Sequence, residues 1–200
     1  MNYFTIKEIY EHEIINKKSR FICKLIPVSN KEMVDSYLKS FKKEYADARH
    51  ICYGYIIGIE QQTSGSSDDK EPKGTAGVQI LSVLTKKKIT NCLCVIIRYF
   101  GGVKLGASLL ARTYARCAKE TIEKASILEL TKGYEYKLIF SYEKQNLIDI
   151  LTKNINIIDK TFTDNITYIV ESTENLSDSI LKNCIKAELI KESYITKKRS

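Results

Sequence analysis

The chain predicts an α+β protein of two domains, and three observations carry that expectation. Residues 95–114, V-I-I-R-Y-F-G-G-V-K-L-G-A-S-L-L-A-R-T-Y, read as a buried strand, a glycine loop and a helix. After Leu130-Thr131-Lys132-Gly133 the texture changes, and the remaining segments follow the order β-α-β-β-α-β, a split ferredoxin-like pattern. The 200 residues are 44% hydrophobic and 28% charged, which is enough apolar material for a core in each domain. The expected domains are 1–130 and 131–200.

Each element has a local reason. Tyr3 to Ile15 alternates loosely around Phe4, Ile6, Ile9 and Ile14 and reads as a first strand. Asn16-Lys17-Lys18-Ser19 is a polar turn into a second strand, Arg20 to Val28, completing a hairpin. Ser29 or Asn30 caps a helix whose apolar stripe is Met33, Val34, Tyr37, Leu38 and Phe41. Ala48 to Ile59 is a third strand, and Gln61 to Pro72, without a large apolar residue, reads as a long polar loop. A short helix opens at Gly74 or Thr75 and runs through Val78, Ile80, Leu81 and Leu84. Cys92 to Ile97 is an apolar, β-branched run, interrupted by Arg98. Leu109, Leu110, Thr113, Tyr114 and Cys117 then resume at helical spacing.

In the second domain the strands are Tyr134 to Tyr142, Asn156 to Phe162, Ile166 to Glu171 and Glu188 to Thr196. The helices are Glu143 to Asn154 and a shorter one opening at Asn175 or Ser177. Residues 197–200 are expected to fray.

Charge and cysteines narrow the function classes. The net charge of +8 is uneven: 21 Lys and Arg stand against 14 Asp and Glu in residues 1–130, and 11 against 10 in residues 131–200. The basic excess travels with the glycine loop and points to an anionic partner. The six cysteines form no C-x-x-C pair and only two histidines are available, so buried reduced thiols are expected and no metal. No apolar run approaches the roughly 18 residues of a membrane span, and the N-terminus lacks a signal-peptide layout. The expected location is the cytoplasm, with no membrane partner.

Two constellations carry candidate chemistry. Gly101 and Gly106 have P-loop spacing, but Ala107-Ser108 stands where Lys-Ser or Lys-Thr is needed, which excludes P-loop nucleotide hydrolysis. Anion binding by loop N–H groups with Arg98 and Lys104 remains, against a tight turn that needs glycine for backbone reasons alone. The second constellation, Ser67 to Gly77, holds Asp68, Asp69 and Glu71 ahead of Gly74-Thr75. Those carboxylates suit Mg²⁺, a pairing with Arg98 or Lys104, or a solvated capping loop. His50 lies near in sequence only to Arg49, and no nucleophile sits in an elbow or triad spacing. Tyr53, Tyr55, Tyr99 and Phe100 add aromatics beside these cations.

Four stretches together resemble the YigZ/IMPACT family: Lys18-Ser19-Arg20-Phe21-Ile22; Ala48-Arg49-His50-x-Cys52-x-x-Tyr55; Ser67-Asp68-Asp69-x-Glu71-Pro72-x-Gly74-Thr75-Ala76-Gly77; and Arg98-Tyr99-Phe100-Gly101-Gly102-x-Lys104-Leu105-Gly106 continuing to Arg112-x-Tyr114. The resemblance implies a first domain similar to the second domain of a small-subunit ribosomal protein, an α/β sandwich, and a ferredoxin-like C-terminal domain. This chain departs from the pattern at Lys70, where glycine is usual, at Lys73, at Gln79 for proline, and at Ser108 and Leu109 for glycines. The last pair is expected to hinder a close backbone approach to a phosphate.

The expected function is a non-enzymatic, translation-associated regulator that binds nucleic acid or the ribosome, with no cofactor and no catalytic residue assigned. A protein partner and the oligomeric state stay open. Arg20, Arg98, Lys104 and Arg112 are expected to contact phosphates, and Gly101, Gly102 and Gly106 to present N–H groups. The competing expectation is a hydrolase of a phosphorylated or nucleotide-like small molecule, with His50, Asp68, Asp69, Glu71, Gly74 and Thr75 in its cleft.

Overall fold

A computed structural model describes residues 3–59 and 62–196, so the expected fraying of residues 197–200 lies outside the described residues. The chain divides into two compact units, Met1–Glu129 and Leu130–Ser200. The first contains β1 (Tyr3–Ile6), β2 (Tyr10–Asn16), β3 (Ser19–Pro27), α1 (Lys31–Glu44), β4 (His50–Ile57), β5 (Thr63–Ser67), α2 (Gly77–Lys86), β6 (Cys92–Tyr99) and α3 (Ala107–Lys124). Five of its strands form an antiparallel sheet in the order β2-β3-β6-β4-β5.

Strand alternation sorts this sheet's side chains onto two faces. Phe21, Cys23 and Leu25 of β3 join Cys92, Cys94 and Ile96 of β6 in a core beneath α2 and α3. Ile22 and Ile26 join Leu93, Val95 and Ile97 in a second core, covered by Val34, Leu38 and Phe41 of α1. The central strand β6 is therefore covered on both faces, which explains its unbroken apolar run. Five cysteines are buried, Cys184 is half-buried, and all six are free thiols.

The helix and turn signals have visible partners. Asn30 caps α1 by accepting the Met33 N–H at 2.9 Å. The β2–β3 turn is two residues long, with Lys17 and Lys18 at φ of 45° and 65°, the left-handed pair that matches strand twist.

Two expectations about the first unit are corrected. The first strand is two strands, broken at residues 7–9, where Ile9 is half exposed rather than packed. The polar loop contains β5, which pairs with β4 from Tyr53↔Ser67 to Ile57↔Thr63. Its sequence, T-S-G-S-S, brings no apolar side chain of its own. The Tyr55 ring occupies the space over Gly65, where a Cβ would lie 2.7 Å from the ring. Backbone pairing to an edge position and a neighbour's aromatic ring replace the missing hydrophobic pattern.

The second unit takes over within β7 (Ile127–Phe140) and continues as α4 (Gln145–Leu151), β8 (Asn156–Phe162), β9 (Ile166–Ser172), α5 (Asp178–Leu181) and β10 (Lys186–Thr196). Its antiparallel strands lie in the order β10-β7-β9-β8, the spatial order of the split βαββαβ motif. Tyr136, Leu138 and Phe140 of β7 pack with Tyr168 and Val170 of β9 against Ile148 of α4 and Ile180 of α5. The helix expected from Glu143 starts later, because Tyr142–Lys144 forms a tighter 3₁₀ turn, and it ends at Leu151.

The glycine loop is fixed to the β2–β3 turn. A Cβ on Gly101 would overlap the backbone of Lys18, so glycine is needed for close approach. Gly106 instead takes φ of 74° with nothing within 4 Å of a Cβ. Gly106→Ala should therefore cost about 1–3 kcal/mol, because φ of 74° with ψ of 154° is a backbone conformation that essentially only glycine adopts. Gly101→Ala should cost about 2 kcal/mol or more through overpacking. Urea midpoints at unchanged m-value measure both, and a neutral substitution at either position would contradict this account.

Candidate functional site

Register places Phe21, Arg98 and His50 side by side across β3, β6 and β4. All three belong to the face that α3 covers, so the one charge in β6 enters a largely apolar layer. Arg98 is only 6% exposed. Its Nη1 donates to Glu71 Oε1 at 2.6 Å, and its Nη2 reaches Ser19 Oγ at 3.5 Å. Its guanidinium also lies 5.4 Å from the Phe21 ring centre and 5.9 Å from that of Phe100. Arg98 Nε is buried without a hydrogen-bond partner.

Glu71 is buried as well, and the same Oε1 accepts the Tyr114 hydroxyl from α3 at 2.9 Å. Burial, followed by the neighbouring Cys52 and Glu71, pushes the Tyr114 phenol up, so it stays protonated and donates. His50 Nε2 stands 3.9 Å from that oxygen, and its Nδ1–H donates to the Asp69 carbonyl at 2.8 Å. Burial likewise pushes the Cys52 thiol up to about 12. That thiol donates to the Asp68 carbonyl at 3.0 Å. It is an inert neighbour of the site rather than a nucleophile.

The other two carboxylates build the loop that carries Glu71. Asp68 accepts the Gly74 N–H at 2.8 Å on one oxygen and the Ala76 and Gly77 N–H groups at 3.0 and 2.8 Å on the other. It thus supplies the anion that the N-terminus of α2 calls for. Burial pushes the Asp68 carboxyl up, and the three donors outweigh it, holding it below the usual carboxylate range. Asp69 accepts the Ile51 N–H at 2.7 Å. Thr75 Oγ1 donates to the Pro72 carbonyl at 2.7 Å, and Gln79 Nε2 donates to the Gly74 carbonyl at 3.0 Å. Asp69 and Lys70 both have positive φ, 38° and 70°. Lys70 thus sits in the conformation for which glycine is the natural residue.

These parts border a cleft of about 420 Å³. Glu71, Arg98, Leu105 and Leu110 form its buried floor. Arg49, Lys70, Phe100 and Lys104 stand exposed at its rim. Gly106 and Ala107, at the start of α3, complete one wall. No side chain caps this helix, and the first N–H to bond back within it is that of Leu110, to the Gly106 carbonyl. The N–H groups of its first turn are left facing outward. Arg49, Lys70 and Lys104 have no carboxylate partner among the described residues. The site is basic at the rim and charge-balanced at the floor.

Of the residues singled out from sequence, His50, Glu71, Arg98, Lys104 and Gly106 line this cleft. Asp68, Asp69, Gly74 and Thr75 do not; they organise the loop behind it. The Gly101 N–H is taken by Ser19 Oγ at 3.2 Å, and Gly102 is exposed at φ of 85° outside the cleft. Arg20 pairs with Glu13 at 2.7 Å and lies over Tyr99, away from the cleft. Arg112 is exposed on α3 and does not line it. Leu109 packs against the core, so it leaves the small wall residues uncovered. Among the described residues no three His, Cys, Asp or Glu side chains are grouped to hold a metal. The sequence reading missed Arg49 and Lys70 as rim cations, although both fall inside the quoted motifs.

Removing Glu71 strands a buried guanidinium. Glu71→Ala is expected to destabilise the first unit by about 3–5 kcal/mol, measured by denaturant unfolding. Asp68 gives a pH signature. Its lowered carboxyl adds stability that is present above the unfolded value near 3.8 and lost as pH falls through the folded one. The stability gap between the protein and Asp68→Asn should hold from pH 7 to 5 and narrow below about 4. A gap that widens in acid would contradict the assignment.

The comparisons with known proteins fall on these motifs. A family model described as the Impact N-terminal domain matches residues 17–122. The IMPACT family member YvyE of Bacillus subtilis is 42% identical over 128 residues, 64% of this chain and 59% of that protein. The chain thus spans less than two thirds of that relative's length. The family member YigZ of Escherichia coli is 33% identical over 137 residues, covering 68% of this chain and 67% of its own. A family member of Haemophilus influenzae is 31% identical over 170 residues, covering 83% of this chain and 82% of its own. A crystal structure described as a hypothetical protein superposes with a TM-score of 0.62 at 28% identity, over 85% of this chain and 84% of that one. Among the described residues, no helix is long and apolar enough to cross a membrane.

Proposed function

Because the chain belongs to the IMPACT family, we propose that it is a translation-associated regulator that acts by binding RNA, free or in the ribosome, through phosphates held at the cleft. The observation that carries this reading is the charge arrangement. Among the described residues, three rim cations without carboxylate partners converge with an uncapped helix N-terminus over a floor whose only carboxylate is already paired. Such a site attracts anions and gives them donors from several directions. The exposed Phe100 supplies a stacking surface beside those cations. The family resemblance implies a first domain similar to a ribosomal-protein module, and that analogy of fold supports the translational part of the proposal.

Hydrolysis of a phosphorylated small molecule is the second reading, and one observation favours it. His50 is oriented by the Asp69 carbonyl and lines the same cleft, which leaves Nε2 as its proton-accepting nitrogen. That reading expects phosphate release from a phosphomonoester that His50→Gln abolishes.

Binding predicts a salt signature. Arg49→Ala with Lys104→Ala removes two rim cations and no ion pair. The slope of log affinity for single-stranded RNA against log salt should become shallower by about 1.4. Fluorescence anisotropy between 50 and 200 mM salt measures it. An unchanged slope with unchanged affinity would overturn the proposal.

A further inference from the structure

The shape of the cleft says which kind of phosphate it takes, and this step rests on the binding reading above. Arg98 is more than nine-tenths buried, lines the cleft, and carries an Nε–H with no acceptor. A buried charged donor without a partner is uncommon, because leaving it unsatisfied is costly. Its other contacts are fixed: Nη1 goes to Glu71 and Nη2 to Ser19. Nε itself has almost no exposed surface, so an occupant that settles on the floor satisfies it only by drawing the guanidinium toward the cleft.

Internal and terminal phosphates differ in whether they can do so. An internal phosphodiester carries a sugar on both sides, and both must lie along the surface. Here the bottom is closed by Glu71, Leu105 and Leu110, all under 10% exposed. A terminal phosphate carries a sugar on one side only and can enter end-on. Charge points the same way. A phosphomonoester approaches two negative charges at neutral pH, while a diester has one. Arg49, Lys70 and Lys104 offer three cations for it, since the charges of Arg98 and Glu71 offset each other. The carboxylate of Glu71 does not repel such a group strongly, because one of its oxygens already accepts from both Arg98 and Tyr114.

The rim also provides for what the phosphate is attached to. Phe100 is 42% exposed, and the Arg49 guanidinium lies 6.0 Å from its ring centre. A nucleobase can stack on that ring while its phosphate points inward. The cleft volume of about 420 Å³ suits one nucleotide rather than a chain of them.

We infer that the cleft is a receptor for a nucleotide's terminal phosphate monoester, with the phosphate meeting Lys104 and the first-turn N–H groups of α3 above the Arg98 guanidinium, and the base resting on Phe100. The nucleotide is either an RNA end or a free nucleoside monophosphate.

The test uses the intact protein and three single-stranded RNAs of one sequence, about eight nucleotides long. One has a 5′-phosphate, one a 3′-phosphate, and one hydroxyls at both ends; AMP and adenosine serve as competitors. At least one phosphorylated end should bind about 10-fold more tightly than the hydroxyl ends, the worth of a lost charged hydrogen bond. Lys104→Ala and Phe100→Ala, both at exposed positions, should each erase that preference, with unchanged circular dichroism showing that they fold. Displacement of RNA by AMP but not adenosine, without an end preference, supports the free nucleotide as the source. Equal, Lys104-dependent binding of all three RNAs with no AMP competition overturns the inference and leaves RNA binding standing. No binding of RNA or AMP overturns both.

Discussion

The contact between Arg98 and Glu71 is the constraint around which the first unit is arranged. Placing two charges in an apolar layer costs several kcal/mol per ion unless each finds good partners. The chain supplies those partners from separate places: Ser19 at the hairpin turn, Phe21 on β3 and Tyr114 on α3. Glu71 arrives on a loop held by Asp68 and Asp69. The pair therefore ties together a strand, a helix, a turn and a loop that no single hydrophobic contact would bring into one register. Its net value for stability is small by comparison with the penalty of breaking it, and that asymmetry favours specificity of arrangement.

Much of this was legible in the sequence, and the reasons differ by residue. The two-faced apolar run of β6, the helical spacing of α3 and the polar turn at Asn16-Lys17-Lys18-Ser19 are local signals that tertiary structure did not override. The pairing of the acidic loop with Arg98 was also readable, because a charge ending an apolar strand demands a partner. Which carboxylate answers it was not. Asp68 and Asp69 are carboxylates too; the acceptor role of Asp68 depends on how the chain curls at Gly74 to Gly77, and that of Asp69 on the Ile51 N–H in β4. That glycine-rich run, with its free N–H groups, was the available sign of an internal anion cradle.

Strand parity explains another difference. Arg20 and Phe21 are adjacent, and Phe21 shares a face with Arg98, so Arg20 has to point to the opposite face. It accordingly lies over Tyr99 rather than in the cleft. β5 was hidden for a different reason. A strand whose side chains are Thr, Ser and Gly has no hydrophobic period, and only its backbone pairing with β4 defines it.

The central position of β6 bears on how the chain is made. Its neighbours, β3 and β4, both precede it in sequence, and they pair with each other only through it. While the polypeptide grows from its N-terminus, the β2–β3 and β4–β5 hairpins exist as two separate, half-covered pieces until Cys92–Tyr99 has been added. Closure then requires contacts spanning some seventy residues, such as Cys23 with Ile96, the long-range pairing that slows folding and leaves sheet edges exposed in the interval. The segment that carries Arg98 is thus also the last strand of its sheet to arrive, and the site is completed only afterwards, when α3 brings Leu110 and Tyr114 onto that sheet.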